Sequence, residues 1–204
     1  MTMHARPGAL VEGSPYGIPS RKLAMWLFIV ADGATFGAIL FAYGYLRAAS
    51  PDWTRAFAFW PTIANGIAMT VVLLTSGLTM VCAVRAAQAG RISAGVRWLG
   101  ATMLLGTVFA ALHLREWLAM IAEGWRLFQN PLGGSVLFGA TFFGITGLHL
   151  LHVLCGVAVI AVITLGFRRG RFEAGHVETT GLYWHFVDLV WMFVFPLVYL
   201  MNAR

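Results

Sequence analysis

Charge is what this sequence has least of. Asp, Glu, Lys and Arg make up 11% of 204 residues while 59% are hydrophobic, against about 25% charged in soluble domains. So short a chain cannot hide that much apolar surface from water, which excludes a soluble domain and leaves an integral membrane protein. Cysteine is nearly absent. Cys82 and Cys155 both lie inside apolar stretches and read as small buried hydrophobes, without a disulfide framework or a zinc motif. There is no CxxC, phosphate loop, nucleophile triad, internal repeat or dividing linker, so one helical bundle is the expected domain. The first apolar run, about 24 residues with an acid inside it, is too long and too polar for the core of a cleaved signal peptide.

What is present is a set of long apolar segments. A helix needs about 20 residues to cross the hydrocarbon layer. Five qualify, over about 23–46, 61–84, 97–121, 134–167 and 180–201. The fourth exceeds a straight crossing and is expected to tilt or project. Pro61 sits where a first helical turn tolerates it, and Asn130-Pro131-Leu132-Gly133-Gly134 is a turn signal. The fold class is an all-α membrane bundle of five transmembrane helices, over residues 21–204. Residues 1–20, rich in proline and glycine, form an expected poorly ordered lead-in.

The formal charge of +6 is distributed as a topology signal. Arg6, Arg21, Lys22, Arg85, Arg91, Arg97, Arg168, Arg169 and Arg171 fall on one side of the five spans. Arg47, Arg55, Arg126 and Arg204 fall on the other, with Arg115 in the third span near that end. The positive-inside rule then predicts a cytoplasmic N-terminus and a periplasmic C-terminus. Basic residues at the ends of apolar runs meet lipid headgroups, so nucleic acid is not an expected partner.

Polar groups at membrane depth cost several kcal/mol unless paired or turned inward, and each here calls for a reason. Asp32, ten residues into the first span, is either a proton-exchanging or ligand-binding carboxyl, or a carboxyl hydrogen-bonded inside the bundle. His113 and Glu116 share a face of the third helix, which suits a buried pair tying helices together. His149 and His152 lie three apart on the fourth span, as do His185 and Asp188 on the fifth. A bis-histidine heme needs two ligands at equal depth. Only His152 and His185 match, so histidines bonded between helices are expected instead. Gly33 and Gly37 make a GxxxG stripe that permits close helix approach. Trp53, Trp60, Trp98 and Trp117 read as interfacial anchors.

The motifs carry more than the chemistry does. Tyr183-Trp184-His185-Phe186-Val187-Asp188-Leu189-Val190-Trp191 resembles the last-helix signature of subunit III of the heme-copper oxidases, the cytochrome c oxidase family. Lys22-Leu23-Ala24-Met25-Trp26-Leu27-Phe28, with Asp32 and Phe36 after it, resembles the helix bearing that family's carbodiimide-reactive acid, more often glutamate. Asn65 with Thr75-Ser76-Gly77 is similar to the next helix's polar pattern. Leu112-His113 with Glu116-Trp117 resembles its Gln-x-x-Glu-aromatic stretch, His113 replacing glutamine. Thr146-Gly147-Leu148-His149-Leu150-Leu151-His152-Val153 is similar to its Thr-Gly-x-His-x-x-His-Val motif, and Glu178 falls on a further family position. These matches run in order from about residue 21 to 201.

The resemblance implies the short five-helix bacterial form, which lacks the family's first two helices. It implies an accessory, non-catalytic subunit of a respiratory terminal oxidase in the bacterial inner membrane, in an enzyme that reduces oxygen to water and pumps protons. It further implies no heme or copper in this chain, those cofactors residing in partner subunits. Subunit I is the implied main contact, with subunit II, small subunits or a supercomplex beyond it, and bound phospholipids. Asp32 would be a proton-related or lipid-cleft carboxyl. Asn65, His113, Glu116, His149, His152, Glu178, His185 and Asp188 would form a structural polar network. Rival readings are a subunit III homologue of a quinol oxidase or nitric oxide reductase, a free-standing membrane cytochrome, and a small transporter, which the odd span count disfavours.

Overall fold

The computed structural model describes residues 19–133 and 135–204; Arg6 and nearly all of the expected lead-in lie outside them. Five helices long and apolar enough to cross a membrane make up the described chain, with no strand among the described residues. They are α1 (Ser20–Ala49), α2 (Ala64–Gln88), α3 (Ile92–Ala122), α4 (Leu137–Arg168) and α5 (Ala174–Val194). A π-helical turn at Phe59–Ile63 leads into α2, and Phe195–Tyr199 and Leu200–Asn202 carry α5 onward. Most helices extend past the apolar cores read from the sequence. α5 begins six residues before position 180, because the polar stretch Ala174-Gly175-His176-Val177-Glu178-Thr179 continues the helix beyond the hydrocarbon. α4 begins at Leu137, after Ser135 and Val136, rather than at 134.

Two of the connections are closed by glycine in the left-handed region. Gly90 has φ +69° and its N–H reaches Ala87 O at 3.0 Å, while Arg91 N–H reaches Ala86 O at 2.9 Å. Gly170, with φ +66°, repeats the pattern after α4 through Phe167 O and Gly166 O. A side chain at either position would meet the steric penalty that glycine escapes. Between α3 and α4, Asn130 holds the loop through its amide, which donates to Thr54 Oγ1 (2.8 Å), Gly133 O (2.8 Å) and Ser135 O (3.1 Å).

α2 and α3 form the closest helix pair, α4 packs on α3, and α5 inserts between α2 and α4. Trp184 of α5 is the wedge at the centre and is fully buried. Its six-membered ring lies over two glycines. A Cβ on Gly106 of α3 would come 2.6 Å from Trp184 Cη2, and one on Gly156 of α4 would come 2.9 Å from Cε3. Small residues let backbones approach in membranes, where apolar side chains gain nothing by leaving lipid. The Gly33 and Gly37 stripe behaves differently: a Cβ on Gly33 would sit 3.7 Å from Phe186, and one on Gly37 would meet nothing within 4 Å. At the end of the bundle holding the α1 C-terminus, Trp53, Phe57, Trp125, Phe138, Phe142 and Tyr199 interlock through edge and stacked contacts. Trp53 and Trp117 are therefore partly packed inside the protein, whereas Trp60 is 77% exposed, as an interfacial anchor would be.

α1 is peripheral. It buries only Phe36 and Tyr43 fully, and rests on α4 and α5. The glycine–indole contact yields a direct expectation. Gly156→Val should overpack the Trp184 site and cost about 1–3 kcal/mol, read as a lower thermal midpoint of the purified protein, whereas Gly37→Val should leave it unchanged.

Candidate functional site

The polar residues singled out in the sequence occupy four separate places rather than one network. The first is the seam between α1 and α4. Asp32 Oδ2 lies 3.2 Å from His152 Nε2, a short contact outside hydrogen-bond alignment, and the two side chains are 16% and 15% exposed. His152 sits one turn after Leu148, and its Nδ1 is 2.8 Å from the Leu148 carbonyl oxygen. Phe36 packs edge-on against the His152 ring at 5.3 Å, and Tyr183 donates from its hydroxyl to His152 O at 3.0 Å. The helical period, which places Asp32 and Phe36 on one face of α1, brings both against one imidazole.

The second place is the bundle interior on the α3 side. Asn65 Nδ2 of α2 donates to Glu116 Oε2 of α3 at 3.0 Å, and the other carboxyl oxygen has no partner among the described residues. His113, one turn before Glu116, and His149 of α4 are fully buried. Both imidazoles lie against Phe109 and Trp191, with centroids 5.2–5.8 Å apart. Among the described residues none of their ring nitrogens meets an acceptor or donor, nor does the buried Tyr199 hydroxyl. Glu116 also lines a cavity of about 80 Å3 between the start of α2 and the end of α3, together with Thr62, Asn65, Arg115 and Glu123.

The third place is the seam between α2 and α5. Asp188 is buried against the α2 backbone at Gly77, where a Cβ would stand 2.5 Å from Asp188 Oδ2. His185 Nδ1 lies 3.7 Å from that oxygen, longer than a hydrogen bond, and its side chain is 42% exposed. His185 thus faces outward along a groove of about 270 Å3 that also meets Val81, Val84, Arg85 and Glu178. The fourth place is the end of the bundle where α1 begins. Lys22 Nζ donates to Glu178 Oε1 at 2.6 Å, and Arg21 Nη1 lies 2.8 Å from His176 Nε2.

Of the aromatic motif residues, Trp184 donates to Ser76 Oγ (3.0 Å) and Trp191 to Thr70 Oγ1 (3.0 Å), both across to α2. Among the described residues no group of three His, Cys, Asp or Glu side chains stands close enough to share a metal ion. His152 and His185, matched in depth by the sequence, face different seams.

One hub escaped the sequence reading. Asn202, after the last helix, is fully buried. Its amide donates to the Tyr43 hydroxyl and to Val198 O, both at 2.7 Å, while its carbonyl accepts from Trp53 Nε1 at 2.8 Å. Arg47 completes that corner by donating to Met201 O at 2.6 Å. The missed signal was an asparagine closing an apolar run with no turn chemistry after it. Lys22 likewise read as a topology marker, and only the fold brings it to Glu178.

The Asn65–Glu116 contact sets an expectation. Asn65→Leu leaves a buried carboxyl without its donor and should cost about 1–3 kcal/mol. The double variant Asn65→Leu/Glu116→Leu should recover part of that loss, measured by thermal unfolding in mixed micelles.

Comparison with known proteins places this geometry among relatives. The family described as Cytochrome c oxidase subunit III matches residues 17–203. Cytochrome c oxidase subunit 3 of Alkalihalophilus pseudofirmus is 31% identical over 193 residues, covering 90% of this chain and 88% of that protein. Cytochrome bo(3) ubiquinol oxidase subunit 3 of Pseudomonas aeruginosa is 32% identical over 184 residues, covering 87% and 83%. Heme-copper oxidase subunit I+III of Aeropyrum pernix is 28% identical over 200 residues, covering 93% of this chain and 24% of that protein.

Proposed function

The chain belongs to the cytochrome c oxidase subunit III family, as an accessory subunit of a heme-copper terminal oxidase, and on that premise we propose how it serves the enzyme. It docks on subunit I, seats phospholipid along its outer seams, and holds no heme or copper, the redox centres lying in partner subunits. Asp32 and the residues around it support proton uptake by the complex. The chain sits in the bacterial inner membrane with its N-terminus cytoplasmic and its C-terminus periplasmic.

The single observation that carries this reading is that four of its polar contacts tie one helix to another. Asp32 with His152, Asn65 with Glu116, Trp184 with Ser76 and Lys22 with Glu178 each join two helices. Docking on subunit I is supported by the fused I+III relative and by the flank of α1, whose Trp26, Leu27, Phe28, Val30 and Phe41 stand exposed. The orientation is supported by arginine and lysine at the α1 N-terminal end, where Lys22, Arg85, Arg91 and Arg168 gather. A second reading, a subunit of a quinol oxidase, draws on the Pseudomonas aeruginosa relative.

Purification in mild detergent tests the assignment. The chain should bring down heme-bearing subunits, while the separated chain should be colourless, without a Soret band. A chain that purifies alone with bound heme would sink the proposal, and the complex's preference for cytochrome c or quinol as donor decides between the two readings. Asp32→Ala should lower the phospholipid retained by the complex and shorten its sustained turnover; loss of neither removes the role given to Asp32.

A further inference from the structure

The interior around Trp191 gathers polar atoms that side chains and backbone leave unmatched. Six buried atoms there lack a partner among the described residues: Glu116 Oε1, Nδ1 and Nε2 of His113, Nδ1 and Nε2 of His149, and the Tyr199 hydroxyl. They share one region. The His113, His149 and Tyr199 rings lie 5.7, 5.2 and 5.8 Å from the Trp191 ring, and Glu116 is one turn beyond His113 on α3. The indole donors beside them are already engaged, Trp191 N–H with Thr70 Oγ1 and Trp117 N–H with Thr146 Oγ1. Buried polar groups keep hydrogen-bond partners in folded proteins, and leaving them bare is costliest where the dielectric is low.

The chemistry of the six atoms says what would match them. A neutral imidazole offers one N–H and one lone pair, a phenol offers an O–H and lone pairs, and a carboxyl oxygen accepts. A cation would satisfy only the acceptors of this mixed set, and an anion only the donors. Water donates and accepts through one small atom, and so meets both. The space for it adjoins Glu116. The cavity that Glu116 lines holds about 80 Å3, against the ~10–15 Å3 that one water requires. Thr62 and Asn65 add polar lining, and Arg115 and Glu123, both exposed, set its rim at the polar end of α3.

We propose that this region is a bound-water site: a small cluster of water molecules enters at the cavity beside Glu116 and bridges Glu116, His113, His149 and Tyr199. Through it α3, α4 and the segment after α5 are joined by water, and Asn65, bonded to Glu116, ties α2 to the same cluster. His113 and His149 are then ligands of water and not partners of each other. The site rests on these buried atoms and on the cavity, and not on the subunit assignment.

A brief X-ray pulse turns a bound water into a hydroxyl radical that oxidises the side chain beside it, so buried residues next to water are marked and dry ones are not. The unaltered protein, purified from its membrane in mild detergent, carries matched pairs of buried side chains for this measurement. Trp125 and Met120 line the cavity, whereas Trp184 and Met80 lie in apolar packing away from it. Tyr199 belongs to the cluster, whereas the Tyr43 hydroxyl is engaged by Leu197 O and Asn202. Trp125, Met120 and Tyr199 should each be oxidised about threefold or more faster than Trp184, Met80 and Tyr43 respectively, and both histidines should acquire the mark. Equal rates within the pairs overturn the proposal, as does a mark confined to Trp125 and Met120, which would leave the bridge to Tyr199 dry. Ala119→Leu, which fills the cavity, should lower the Tyr199 rate by about half or more while leaving Trp184 unchanged. If Tyr199 in that variant is marked as fast as before, the mark comes from fraying of the chain end and the proposal is overturned.

Discussion

Lipid is as apolar as leucine, and this one constraint organises the molecule. In water, burying a large apolar side chain drives folding; inside a bilayer it gains little, and association depends on close packing and on polar groups finding partners. The surface bears this out. Leu27, Phe41, Leu78, Leu104, Leu118 and Val162 stand exposed, while the interior is built where glycine admits an indole or where a side chain bonds across a seam. Trp184 joins both devices. Its ring fills the space above Gly106 and Gly156, and its N–H reaches Ser76 on a third helix. Four helices thus meet at one side chain.

The same constraint explains how a helix as exposed as α1 stays attached. It is held at three levels by polar contacts instead of by an apolar stripe. Arg21 and Lys22 reach α5 at one end, Asp32 meets His152 of α4 midway, and Tyr43 and Arg47 bond to the residues after α5 at the other end. Each contact removes an unpaired polar group from lipid depth or its edge. The outward face of α1 is left free for whatever surrounds the subunit in its complex.

The histidines divide by the same logic. His152 is tied to a carbonyl and a carboxyl, and His185 looks outward beside a buried aspartate. His113 and His149 are enclosed by Phe109 and Trp191 with no partner for their nitrogens among the described residues. A shared residue type with shared spacing therefore does not mean a shared environment. His149 and His152 are three apart on one helix, yet one faces the centre of the bundle and the other the α1 seam.

The membrane class, the number of spans and the family were legible in the sequence by itself. Hydropathy over about 20 residues is a local property, and the motifs around Asp32, His149, His152 and His185 keep their order and spacing along the chain. The helix-closing glycines Gly90 and Gly170 are local too, since φ depends on the residue itself. What only the tertiary structure decided is pairing. The sequence placed Asp32, Glu116, Glu178 and Asp188 in lipid or near it, but which partner each meets depends on how helices rotate and stagger against one another. Glu178 left the expected network for Lys22, 156 positions away, and Asn202 became a hub because α5 continues past its apolar run to fold against α1. Periodicity says which residues share a face; only packing says what that face touches.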